Sequence, residues 1–123
     1  MTIKKLKTAH AAGIAAAKKN AELFAELHPD DCGSCGGSVV LIAFGRKRKI
    51  KQLFMDAGLI SVDGDWHVYG KKHYIIRVDG WQKANYNQQN ASYKEMALRE
   101  YITTIDTLLS EHKLDLFLHT WSD

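Results

Sequence analysis

Apolar residues recur at three- or four-residue steps through residues 3–27, which is the spacing of one face of an α-helix. The segment lacks proline and is rich in Ala, Lys, Glu and Leu. Pro29 follows, and a proline biases the residue before it, here His28, away from helix. We therefore predict an amphipathic helix over residues 3–27. Its apolar face comprises Ile3, Leu6, His10, Ile14, Ala17, Ala21, Phe24 and Leu27.

The pattern then changes to a continuous apolar run at residues 39–44 with glycine on both sides. Its length and its flanks indicate a buried strand rather than a helix. Residues 46–57 return to helical spacing, because Ile50, Leu53 and Phe54 fall on one face. Gly58 is a suitable stop, so we predict a second helix that ends there.

The second half of the chain predicts three β segments, a helix and a last strand. Residues 59–62 and 66–69 flank Asp63-Gly64, a dipeptide typical of tight hairpins, and 73–78 is also β-rich. Ser92 and Glu95 have capping-box spacing before a helical pattern. The alternation of residues 114–121 predicts the last strand. The helical face comprises Ala97, Tyr101, Ile105, Leu108 and His112, widened by Leu98, Ile102 and Leu109.

From residue 38 onward the predicted order is strand, helix, strand, strand, helix, strand. This βαββαβ order predicts an α+β fold, a ferredoxin-like sandwich. The helix over 3–27 would pack onto it as an added N-terminal element. We expect one domain over residues 1–123, with 38–123 as its α+β core.

Composition and charge limit the classes to which this protein can belong. The chain has 123 residues, of which 46% are hydrophobic and 25% charged, as in an ordinary globular domain. No apolar run approaches a membrane span, and the N-terminus lacks a secretory pattern, so we expect a cytoplasmic protein without a membrane partner. The net charge of +3 permits an anionic partner without demanding one.

The two cysteines lie three positions apart among glycines. His28, Cys32 and Cys35 could supply part of a zinc site, but no second CxxC accompanies them. A redox CxxC usually precedes a helix, whereas this one precedes a strand. The interpretation we prefer makes Cys35 a small buried hydrophobic residue at the start of the first strand, with no metal or cofactor.

The run RKRKIK at 46–51 is the first candidate binding region. Basic residues at the start of a helix oppose its macrodipole, so this sequence suits presentation of cations and backbone N–H groups to an anion. The alternative is a solvated basic face. The candidate ligand-binding residues are Arg46, Lys47, Lys49 and Lys51, which Lys71 and Lys72 could join.

A polar loop with two aromatic residues is the second candidate region. Trp81 and Tyr86 could stack on a planar ligand, and the amides that follow them, including Gln89, could bind it by hydrogen bonds. Lys94 would add charge at the start of the last helix. The alternative is that the amides cap the helix and the aromatic residues cover the sheet edge.

Four short segments resemble a family of small, mostly uncharacterised phage and prophage proteins. The segments are AHAAGIAAA at 9–17, Cys35-Gly36 before the first strand where the family has CGFAWV, Gln89-Asn90 followed by Lys94-Glu95-Met96 where the family has Gln-Ser-x3-Lys-Glu-Ala, and the end Thr120-Trp121-Ser122-Asp123. The resemblance retains Cys35 and not Cys32. It implies a phage origin and a cytoplasmic role in an infected or lysogenic bacterium, and it supplies no known reaction.

Together these features favour an accessory protein that acts by binding. The expected partner is an anionic ligand, either nucleic acid or a nucleotide, or a host protein with an acidic surface. The resemblance implies that binding modulates a host process such as defence. One alternative is a small hydrolase that uses Cys35 or His73. The other is a pure protein–protein inhibitor, which could be a homodimer through its helices.

Overall fold

The computed structural model describes residues 1–30, 35–64, 66–86 and 90–122. Within these ranges the protein is a mixed fold of three helices and four strands, which confirms the predicted α+β class. The elements are α1 (Ile3–Leu27), β1 (Gly36–Ala43), α2 (Arg48–Asp56), β2 (Trp66–Val68), β3 (Lys71–Ile76), α3 (Ala91–Leu108), a 3₁₀ turn (Ser110–His112) and β4 (Asp115–Ser122). None of the described helices combines the length and apolar character that a membrane crossing requires.

The four strands form one sheet in the order β2-β3-β1-β4, and every neighbouring pair is antiparallel. Ile42 lies opposite Tyr74 on β3 and Leu116 on β4. Residues directly opposite each other on neighbouring strands project from the same face of a sheet, so these three side chains share one face. That face meets the helices in the core. The other face carries the residues in between, among them Leu41 and Phe117.

Helix α1 has the predicted bounds and packs mainly on α3. Thr2 caps it by accepting a hydrogen bond from the Lys5 N–H. A Cβ at Gly13 would lie only 2.6 Å from the Tyr101 ring, so this glycine lets the two helices approach closely. The buried face is rotated slightly from the predicted one, because Ile3 and Leu27 are exposed.

Helix α2 ends in the way the sequence predicts. Gly58 has a φ of +73°, the left-handed conformation that glycine adopts without strain. The N–H of Gly58 bonds to the Met55 carbonyl, and the N–H of Leu59 bonds to the Phe54 carbonyl. These two bonds form a Schellman motif, which turns the chain back toward the core after α2.

The predicted hairpin at Asp63-Gly64 is wrong. Leu59 and Ile60 are buried in the core outside any strand, and the Leu59 carbonyl accepts a hydrogen bond from the Arg77 N–H. The hairpin forms instead at Tyr69-Gly70, between β2 and β3. Both residues have positive φ, 51° and 76°, as a two-residue type I′ turn requires.

The N-cap of α3 is Asn90 rather than the predicted Ser92. The Asn90 side-chain oxygen accepts a hydrogen bond from the Tyr93 N–H at 3.1 Å, and Ser92 lies inside the helix. Asn90 is fully buried, and its backbone pairs with that of Cys35 in an isolated β-bridge. This joint ties the start of α3 to the start of β1.

Candidate anion-binding site

Two adjoining cavities of about 300 and 290 Å³ lie where β1 turns into α2. Ala43, Phe44, Gly45 and Lys71 line both of them. The residues particular to one cavity are Lys51, Lys72 and Tyr74, and those particular to the other are Arg46, Lys47 and Asp115. We call this pair of cavities the basic cavity, because five of its lining residues are cations.

Tyr74 lies beneath two of these cations. The ammonium nitrogen of Lys51 is 4.9 Å and that of Lys72 is 5.5 Å from the centre of the Tyr74 ring, which is only 5% exposed. A hydrogen bond from Lys51 and the positive charges of Lys51 and Lys72 lower the pKa of the Tyr74 phenol, against the opposing effect of burial. A phenol of lowered pKa is a strong hydrogen-bond donor to an anion.

The cations of the basic cavity divide into two groups. Lys47 donates hydrogen bonds to the carbonyls of His112, at 2.7 Å, and Lys113, at 2.5 Å. Lys71 forms an ion pair with Asp115 at 3.0 Å. Arg46, Lys51 and Lys72 make no ion pair with any carboxylate in the part of the chain that the structure describes. The remaining three cations are therefore available for an anionic ligand.

The backbone adds positive polarity beside the same cavity. Helix α2 begins after Lys47, which makes no side-chain cap, and its first turn contains no acidic residue. The positive end of the helix dipole therefore has no negative side chain within the first turn of α2, and the carboxylate of Asp115, which lines the same cavity as Gly45 and Arg46, is paired with Lys71. An anion in the basic cavity would supply that missing negative charge.

The structure separates the two predicted halves of the binding site. Lys49 is exposed on α2 outside the lining of the basic cavity. Lys94 lies at the opposite end of β1, where its ammonium donates to the Gly36 carbonyl at 3.0 Å. An eight-residue strand spans about 24 Å from end to end, so Lys94 cannot share a small ligand with Lys51.

The aromatic residues of the 81–86 loop stabilise the fold. Trp81 is 3% exposed and donates its indole N–H to the Val78 carbonyl, so its ring is not accessible for stacking on a planar ligand. Tyr86 is half-buried, donates its hydroxyl to the His28 carbonyl at 2.7 Å and packs on Tyr93. Gln89 lies outside the described residues, as do Asn87 and Gln88.

The cysteine and histidine predicted for hydrolysis lie apart. Cys35 immediately precedes β1 and is exposed, so the expectation of a buried residue is wrong. His73 is buried near the other end of the sheet, opposite Trp66, and its Nδ1 is 3.0 Å from the Lys71 carbonyl oxygen. Cys32 lies outside the described residues. Among those that are described, no group of three or more His, Cys, Asp or Glu residues could hold a metal ion.

Tyr74 is the member of the site that the sequence analysis missed. The available signal is alternation along β3, because residues 72 and 74 of a strand project from the same face. A tyrosine two positions after a lysine in a predicted strand therefore indicates that the lysine ammonium group can lie over the tyrosine ring.

Comparisons of the chain with known protein families, with curated proteins and with solved structures give no match. The function of the protein is therefore inferred from the geometry of the basic cavity.

Proposed function

We propose that this protein binds phosphate-bearing ligands, nucleic acid or a nucleotide, in the basic cavity. One observation supports this most strongly: Lys51 and Lys72 line one part of the basic cavity and Arg46 the other, and none of the three forms an ion pair with a carboxylate among the described residues. Holding like charges together costs free energy, and a bound phosphate group would offset that cost.

Each group has a distinct role in this proposal. The Arg46 guanidinium can donate two parallel hydrogen bonds to phosphate oxygens. Lys51 and Lys72 supply charge, and the Tyr74 hydroxyl supplies a donor between them. Binding at these groups needs no nucleophile, so the protein would act by binding rather than by turnover.

The finer classification of the fold and the biological context are also proposals. We infer a ferredoxin-like sandwich with α1 added, which the βαββαβ order after residue 35 and the antiparallel sheet support. The resemblance to phage proteins supports an accessory role in the bacterial cytoplasm, where binding would modulate a host process such as defence.

A titration with salt tests the proposal. Fluorescence anisotropy of a labelled oligothymidylate would be measured over a range of salt concentrations for the wild type and for the double variant Lys51→Met/Lys72→Met. We expect the variant to bind more weakly and the slope of log K against log salt to decrease in magnitude by about 1.4, since each phosphate contact to a single strand contributes about 0.7.

The matched control is Lys18→Met/Lys19→Met, which removes the same charge from an exposed part of α1. This control should keep the wild-type slope. An equal loss in the control, or no binding by the wild type at low salt, would show that the basic cavity is not a phosphate site.

A further inference from the structure

The sheet face opposite the helical core carries a row of aromatic and imidazole rings. Trp66 on β2 lies 4.8 Å from His119 on β4, measured between ring centres, although these are the two outer strands. The sheet is therefore curled. His119 in turn stacks on Trp121 at 5.8 Å, and Phe117 lies 6.5 Å from His73. We call Trp66, Phe117, His119 and Trp121 the aromatic row.

Two members of the row, Phe117 and Trp121, are exposed to solvent, and the ring of Trp121 also packs on the backbone of β1. Phe117 is 41% and Trp121 is 43% exposed, large fractions for residues of this size. A Cβ at Gly37 of β1 would lie 2.3 Å from the Trp121 ring, so the indole rests over a glycine. The glycine gives Trp121 a backbone surface to lie on while the ring remains partly accessible.

The aromatic row adjoins the basic cavity. Alternation along β3 places Lys71 on the same face as His73, and Lys71 lines both parts of the basic cavity. The only charged strand residues on this face within the described ranges are Lys71 and Asp115, and these two pair with each other. The row itself thus contains no carboxylate, and the cations at its end complement a polyanion.

We propose that the aromatic row is a stacking platform for the bases of a single-stranded nucleic acid whose phosphates occupy the basic cavity. This inference rests on the proposed function. His119 and Trp121, on alternate residues of β4, have ring centres 5.8 Å apart, and rings at such positions present successive stacking surfaces to successive bases. Such stacking is tolerant of sequence, because every base has a π-face. A duplex, whose bases are already paired, would gain nothing from the row.

The test compares three polyanions: a 16-residue oligothymidylate, a 16-base-pair duplex and inorganic polyphosphate. Their affinities would be measured for the wild type, Phe117→Ala, Trp121→Ala and the control Leu23→Ala, which removes an exposed apolar side chain from α1. Each row variant should bind the oligothymidylate about tenfold more weakly and polyphosphate unchanged, and the control should bind as the wild type. Unchanged polyphosphate binding also shows that a variant is folded.

Intrinsic fluorescence gives a second measurement. Trp66 and Trp121 belong to the row, whereas Trp81 is buried in the core. Oligothymidylate should therefore quench the tryptophan fluorescence of the wild type, and the Trp121→Phe variant should show much less quenching.

Three outcomes would overturn the platform. The first is that Phe117→Ala and Trp121→Ala both bind oligothymidylate as tightly as the wild type does. If polyphosphate still binds, that result contradicts the stacking platform and not the proposed function. The second is a wild-type dimer that Phe117→Ala dissociates without changing oligothymidylate affinity, because the row would then be an interface between copies. The third is failure of all three polyanions to bind the wild type at low salt, which removes the proposed function as well.

Discussion

At the scale of single residues, the burial of His10 makes the stability of the fold depend on pH. Its Nδ1 lies 2.7 Å from the Tyr101 hydroxyl between α1 and α3. Burial lowers the pKa of His10 below 6.5, and the charge of Asp79 opposes that shift. In the unfolded chain the imidazole regains its ordinary pKa, so below about pH 6.5 the unfolded state binds more protons than the folded state.

We therefore predict that the free energy of unfolding decreases as the pH falls from 7.5 through 6.5. Urea denaturation at several pH values measures this for the wild type, His10→Gln and His67→Gln, whose histidine is exposed on β2. The pH dependence should weaken in His10→Gln and persist in His67→Gln. Equal slopes in the wild type and His10→Gln would contradict the assignment.

At the scale of elements, the contact between α1 and α3 depends on the absence of a side chain at Gly13. Alanine there would gain about 1 kcal/mol from helix propensity. However, its Cβ would overlap the ring of Tyr101, which is buried and cannot swing away, and such overpacking costs about 1–3 kcal/mol. We predict that Gly13→Ala is destabilising in thermal or urea unfolding.

A double-mutant cycle isolates the cause. Tyr101→Leu removes the ring atoms that the new methyl group meets. Gly13→Ala should therefore be less harmful in the Tyr101→Leu background than in the wild type. Additive effects would mean that the two residues do not compete for space.

Periodicity predicted the long elements well and the short ones poorly. Helix α1 and the stop at Gly58 follow from patterns within a few residues, so local physics determines them. The β2–β3 turn does not, because burial of Leu59 and Ile60 in the core overrides the local preference of Asp63-Gly64 for a hairpin. The burial of Trp81 likewise depends on tertiary packing, which no local sequence pattern reveals.

At the scale of the whole molecule, the two predicted binding regions lie at opposite ends of the sheet. The cations at 46–51 were identified from the sequence because their density is itself the signal. Their separation from Lys94 could not be predicted, because it depends on the direction in which β1 runs between them. The basic cavity thus lies at one end of β1, and the other end joins the helices to the sheet.

This division predicts that Asn90 stabilises the fold without affecting ligand binding. Asn90→Ala removes the N-cap of α3, a change that costs about 0.5–2 kcal/mol. Urea denaturation should show that loss, while oligothymidylate affinity at a temperature where the variant is folded should equal that of the wild type. A selective loss of affinity in the folded variant would place the binding site at the Asn90 end.

The most direct test of phosphate binding in the basic cavity is a map of where the ligand contacts the protein. Backbone amide chemical shifts would be recorded by two-dimensional NMR during titration with oligothymidylate at low salt. We predict the largest changes at Gly45, Arg46 and Lys72, with little change at Lys18 and Tyr86, which belong to neither the basic cavity nor the aromatic row. Changes centred on Lys18 or Tyr86, or no localised change at saturating oligothymidylate, would contradict the proposed site.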